Sequence, residues 1–152
     1  MINLELSCEK VMSEMNSKLN VNNDLNLMGI DLTGVEMANV IFTNCNLMNA
    51  IFTGSNLMRC NFKNSNLMNA DLVNANLMFS NFTGAVLRCV DLRGADLMCV
   101  DFIGADLRYA DLRGADLRCA NFTNANLQYA DLRDTDVSET IFINAKMMNI
   151  KK

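Results

Sequence analysis

Carboxylates and thiols are the first candidates for chemistry in this chain, which has no histidine and no tryptophan. Aspartates recur at Asp91, Asp96, Asp101, Asp106, Asp111 and Asp116, and again at Asp131 and Asp136. Paired carboxylates can do acid–base work, but only where a pocket perturbs their pKa values. Six cysteines, Cys8, Cys45, Cys60, Cys89, Cys99 and Cys119, could hold a metal, yet none has the short paired spacing of a zinc site. Glycines precede aspartates in Gly94-Ala95-Asp96, Gly104-Ala105-Asp106 and Gly114-Ala115-Asp116. A phosphate-binding loop needs a different spacing between a strand and a helix. The aspartates and glycines fall on a five-residue beat, which marks them as properties of a repeat. No catalytic, cofactor-binding or metal-ligating residue is expected, and no enzyme.

The element behind that beat is neither a regular helix nor a strand. Large apolar residues recur every fifth position, as at Leu47, Phe52, Leu57, Phe62, Leu67 and Leu72. In a helix, five steps of 100° would scatter them around the axis. In a strand, an odd period sends alternate members to opposite faces. The pattern works only if the chain turns between units so that every fifth residue again points inward. A small residue two places earlier, such as Cys45, Ala50, Ser55 or Cys60, completes a narrow packed interior. Such fixed self-similarity is the signature of a solenoid.

A second period gives the size of one coil. Phe42, Phe62, Phe82, Phe102, Phe122 and Phe142 are spaced twenty residues apart. Four five-residue units per coil sort the chain into four columns, one of them this phenylalanine ladder. Each ring is expected to stack on the next at the coil spacing of about 4.8 Å. Two places after each phenylalanine come Asn44, Asn64, Gly84, Gly104, Asn124 and Asn144; the Leu32–Leu132 column is followed by Gly34, Gly54, Asn74, Gly94, Gly114 and Asp134. Those residues tolerate positive φ. The other two columns carry Asn49, Arg59, Phe79, Cys99, Tyr109, Tyr129 and Glu139 there. The contrast predicts type II turns on two opposite sides and a different turn on the other two.

Units such as Ala95-Asp96-Leu97-Met98-Cys99, Ala105-Asp106-Leu107-Arg108-Tyr109 and Ala115-Asp116-Leu117-Arg118-Cys119 resemble the pentapeptide-repeat family motif, Ala-Asp/Asn-Leu-x-x. The resemblance covers residues 23–149. It implies an all-β, right-handed quadrilateral β-helix, here of about six coils. Most members of that family have no known function. One group mimics B-form DNA, binds DNA gyrase and confers fluoroquinolone resistance.

Residues 1–22 break the beat. Leu4, Cys8, Val11, Met12, Met15 and Leu19 form a helical stripe, which predicts an N-terminal α-helical cap over the first coil. Beyond residue 149 only a tail, 150–152, is expected. The last coil would then be open, and Ile141, Phe142, Ile143, Met147 and Ile150 are expected to form a homodimer end. A net charge of −4 argues against nucleic acid as a direct partner. Without a signal sequence or membrane span, cytoplasmic localisation is the expectation.

Function is then expected on the surface. Met48, Met58, Met68, Met78 and Met98, with Phe79, suggest an adaptable protein-binding surface. Asp91, Asp96, Asp111, Asp116, Asp131 and Asp136 form acidic columns, which a DNA mimic would use in place of phosphates. Arginines stand beside them: from residue 81 onward there are 10 acidic against 9 basic residues, so a strong negative field is absent. Cys99 and Cys119 share one outward column, where a disulfide is geometrically conceivable but the reduced pair is expected in the cytoplasm. The expected function is a non-enzymatic protein–protein interaction scaffold without cofactors. The alternative is a DNA-mimicking binder of a type II topoisomerase such as gyrase.

Overall fold

The computed structural model describes residues 25–152. The expected N-terminal cap lies outside them. Parallel bridges join residues twenty apart without interruption, from Asn26–Asn46 to Asp131–Lys151. One coil is therefore four five-residue sides, and the described chain makes a little over six coils. We number the sides by their central residues. Side 1 holds Leu27 to Leu127 and Met147; side 2 holds Leu32, Phe52 and on to Leu132; side 3 runs from Met37 to Val137; side 4 is the phenylalanine ladder. The bridge at Lys151 carries the coil two residues past the boundary at 149, and Ile150 packs partly buried against the core.

The interior is the two-residue lining that the period requires. Central residues from Leu27 to Leu132 are buried, as are the small residues before them from Cys45 to Ala130. Stacked coils place identical rings face to face. Successive ring centroids on side 4 lie 4.6–5.3 Å apart, with interplanar angles of 4–19°. Phe52 meets Phe42 and Phe62 edge-on across the tube at 6.0 and 6.3 Å. Buried hydroxyls and thiols find carbonyls: Ser55 donates to Phe52 at 2.7 Å, Ser80 to Leu57 at 2.9 Å and Cys60 to Met37 at 3.0 Å. Burial pushes the Cys60 thiol up to about 12, so it is an inert core residue.

The five backbone N–H groups of a unit have distinct destinations. Around Leu72, Leu72 N–H and Asn74 N–H donate to the following coil, at Asp91 and Arg93. Ala75 N–H closes the turn onto the Leu72 carbonyl, and Asp71 N–H reaches back to Ala50. That leaves only the Val73 N–H. It is bound by the side chain of Asp71, whose Oδ1 accepts at 3.0 Å. The same contact recurs from Asn26–Met28 to Asp136–Ser138. Asn and Asp are frequent before each central residue because their side chains satisfy the donor that neither ladder nor turn uses.

The turns correct the expectation of two types. The second residue after each centre has positive φ on all four sides, from 55° to 70°. Every corner shares this left-handed residue, and all but those after Met37 and Met147 also close with an N–H bond onto the carbonyl of the central residue.

Candidate interaction surface

That uniformity makes the sequence contrast informative. Two edges, after sides 2 and 4, carry Gly, Asn and one Asp at the left-handed position. The edges after sides 1 and 3 carry Gly29, Asn39, Asn49, Asn69 and Asn149, but also Arg59, Phe79, Cys89, Cys99, Tyr109, Cys119, Tyr129 and Glu139, in the same backbone conformation. A left-handed residue with a full side chain costs roughly 1–2 kcal/mol, which Gly or Asn would largely avoid. Turn geometry does not ask for these residues, so their side chains need another reason. Outliers of this kind cluster where function demands them.

Sides 1 and 3 are opposite walls, so their edges are diagonal across the tube. On the edge after side 3, Phe79 is 47 % exposed and Arg59 lies over its ring at 5.8 Å. On the edge after side 1, Tyr109 and Tyr129 stack at 4.9 Å and 5°, with 53 % and 43 % exposure. The sequence reading named both tyrosines only as turn residues. Their twenty-residue separation, together with the aromatic type, was the signal that could have singled them out.

The expected methionine surface divides. Met48 and Met68 lie on side 1, whereas Met58, Met78 and Met98 lie on side 3, so the set does not form one patch. All five are half-buried and cover the coils beneath them. Phe79 adjoins the side 3 group only.

The acidic columns are mostly neutralised. Arg93, Arg113, Arg118 and Arg133 reach back to Asp91, Asp111, Asp116 and Asp131, at 2.6–2.7 Å. Arg108 pairs with Asp106 at 2.6 Å. Hydrogen bonds from these arginines hold Asp106, Asp111 and Asp116 below the usual carboxylate range, and Asp131 falls to about 2. Asp96 binds the Met98 N–H, and Asp136 binds Ser138 at its N–H and hydroxyl. Exposed ion pairs contribute little stability. Their larger consequence is to cancel the field along these walls.

No disulfide joins Cys60, Cys89, Cys99 or Cys119. Cys8 lies outside the described residues. Cys119 donates to the Glu139 carboxylate at 3.4 Å, and that bond holds its thiol above the usual range. Among the described residues, no three His, Cys, Asp or Glu side chains form a group that could hold a metal ion.

The family model described as pentapeptide repeat region matches residues 35–112, just over half of the chain, and that for pentapeptide repeats (8 copies) matches 95–134 and 120–149. The chain belongs to the pentapeptide repeat family. Among solved structures of that family, it is similar to a protein of the Arabidopsis thaliana thylakoid lumen, with 28% identity and a TM-score of 0.65, over 66% of this chain and 70% of that one. It is also similar to QnrB1, a plasmid-mediated fluoroquinolone resistance protein, with 18% identity and a TM-score of 0.47, over 84% and 77% of the two chains. HetL of the cyanobacterium Nostoc, involved in heterocyst differentiation regulation, gives 19% identity and a TM-score of 0.34, over 94% and 93%. No curated protein matches by sequence. The fold of this pentapeptide repeat protein is the right-handed β-helix of its structural neighbours.

Proposed function

We propose that this pentapeptide repeat protein is a non-enzymatic scaffold that binds a protein partner through its two diagonal edges. One observation carries the reading: Phe79, Tyr109 and Tyr129 occupy left-handed corners while 43–53 % exposed. Exposed aromatics beside arginine are the side chains on which interfaces most often depend. Edge aromatics on a rigid tube also lose little conformational entropy when a partner covers them. A photocrosslinker placed at Phe79 or Tyr109 should trap a discrete partner, whereas one at Gly54 or Gly104, on the other two edges, should not. Equal trapping from all four edges would remove the proposal.

The DNA-mimic alternative is not favoured. Five of the six column aspartates are paired with arginines, four at 2.6–2.7 Å and Asp136 at 4.0 Å from Arg118, and a surrogate phosphate row needs unopposed charge. Absence of any effect on gyrase supercoiling at large molar excess is the expected result.

The C-terminal end supports the proposal of a homodimer. Among the described residues, the N–H groups of Asp134, Val137, Glu139, Phe142, Asn144, Met147 and Asn149 have no backbone acceptor. Phe142, Met147 and Ile150 close the interior there only partly, while Ile141 and Ile143 project sideways, 41 % and 61 % exposed. A second copy would cover both the donors and the open core. A monomeric mass by light scattering at micromolar concentration would exclude it. We place this assembly in the cytoplasm, a compartment that keeps thiols such as Cys99 and Cys119 reduced.

A further inference from the structure

Cys99 and Cys119 occupy equivalent corners on the edge after side 3, one coil apart, with φ of 57° and 59°. Both thiols are free of disulfides and sit on successive coils of the same edge. Equivalent backbone in stacked coils sets equivalent atoms one ladder spacing apart, about 4.8 Å. The ladder is intact there: Cys99 N–H donates to Arg118 at 2.9 Å and Cys119 N–H to Ser138 at 3.0 Å.

Two chemistries compete for such a pair, and distance separates them. A disulfide takes Cβ atoms about 3.5–4.5 Å apart, so the corners would have to close by at least a few tenths of an ångström against continuous hydrogen bonds. A single metal ion between two thiolates needs sulfurs separated by two metal–sulfur bonds of about 2.3 Å, or roughly 4.6 Å in all. The coil spacing matches the second requirement without movement. The donor set then selects the ion. The chain has no histidine, and among the described residues no third carboxylate or thiol completes a group with these two. Zinc prefers four ligands in a tetrahedron. Soft thiolates instead favour Cu(I), which accepts two sulfurs in a line.

We propose that Cys99 and Cys119 form a two-coordinate binding site for Cu(I). On binding, two S–H bonds break and two S–Cu bonds form. Two protons leave, Glu139 being the carboxylate that already accepts from Cys119. No electron is transferred, and the product is a bis-thiolate complex of charge −1. The site shares the edge after side 3 with Phe79 but uses neither Phe79 nor the tyrosines, so metal binding and partner binding can be tested separately.

The test is a titration of the reduced full-length chain with Cu(I), without oxygen, against a chromophoric Cu(I) chelator, in a Cys8→Ser background. One ion per chain should be held, and Cys89→Ser should leave that unchanged. Cys99→Ser or Cys119→Ser should weaken retention by at least tenfold. A spacing variant, Phe79→Cys with Cys99→Ser, keeps two thiols on the same edge but sets them about 9.6 Å apart, and should bind no better than the double serine variant. Thermal melts of each variant establish that it folds. Equal retention by the double serine variant, or full retention by the spacing variant, would overturn the proposal.

Discussion

Replacing Cys89 by asparagine should stabilise the protein, although it removes no clash and adds no buried surface. Cys89 is exposed, with φ 55°, and its N–H donates to Arg108 at 3.0 Å, a bond that the substitution keeps. Asparagine tolerates this conformation, so a strain of roughly 1–2 kcal/mol is partly relieved. The residue one coil below is Asn69, whose side chain already bonds Asn49 at 3.3 Å, so the new amide would extend an existing ladder. The expected gain is about 0.5–1 kcal/mol, or a rise of about 1–4 °C in Tm for a chain of this size. Gly114→Ala tests the same term with the opposite sign. Its φ is 67°, and a Cβ built there meets nothing within 4 Å, so backbone strain is the cost. Less an unfolded-state entropy benefit of about 0.4–1 kcal/mol, the net loss should be about 1 kcal/mol. Both melts can be followed by circular dichroism. A lower Tm for Cys89→Asn, or a higher one for Gly114→Ala, would refute the strain reasoning on which the interaction edges rest.

Two further outcomes follow from the interior and the walls. Phe82→Ala deletes a fully buried ring stacked on Phe62 at 4.6 Å and on Phe102 at 5.3 Å. It should cost about 3–5 kcal/mol in denaturant unfolding, and a loss below about 1 kcal/mol would contradict the packed ladder. Acid should destabilise the second half of the chain selectively. The depressed pKa values of Asp106, Asp111, Asp116 and Asp131 contribute stability above the unfolded carboxylate value of about 4. That stability is lost as pH falls through the folded values, to about 2 for Asp131. Amide exchange of that half, compared between pH 5 and pH 2.5, should show earlier opening at the lower pH; no difference would count against the pairing.

Much of the architecture was legible because it repeats. A twenty-residue phenylalanine spacing leaves few ways to bury six rings, and the stack follows from it. The corner residues misled for a physical reason: Gly and Asn on two edges, and Arg, Phe and Tyr on the others, looked like two kinds of turn. All corners in fact share one left-handed backbone, so the contrast reports on side-chain selection. The reach of each arginine back two residues was not visible either, since a column assignment fixes a position and not a rotamer. Nor could composition show that Met48 to Met98 lie half-buried on opposite walls. The side-chain bond from Asp or Asn to the N–H two residues on was within reach, since that residue pair recurs at nearly every turn.

The account turns on whether the strained corner aromatics are kept for a partner. The most direct measurement compares partner capture from the native host by the wild-type protein and by a Phe79→Asn, Tyr109→Asn, Tyr129→Asn variant, alongside their thermal melts. Strain relief at the three corners should offset the lost Tyr109–Tyr129 stacking and the Arg59–Phe79 contact, each about 0.5–1.5 kcal/mol, leaving the Tm within a few degrees. The account predicts a variant that melts like the wild type and no longer retains the partner. A variant that retains the same partner in the same amount, with its fold intact, would contradict it.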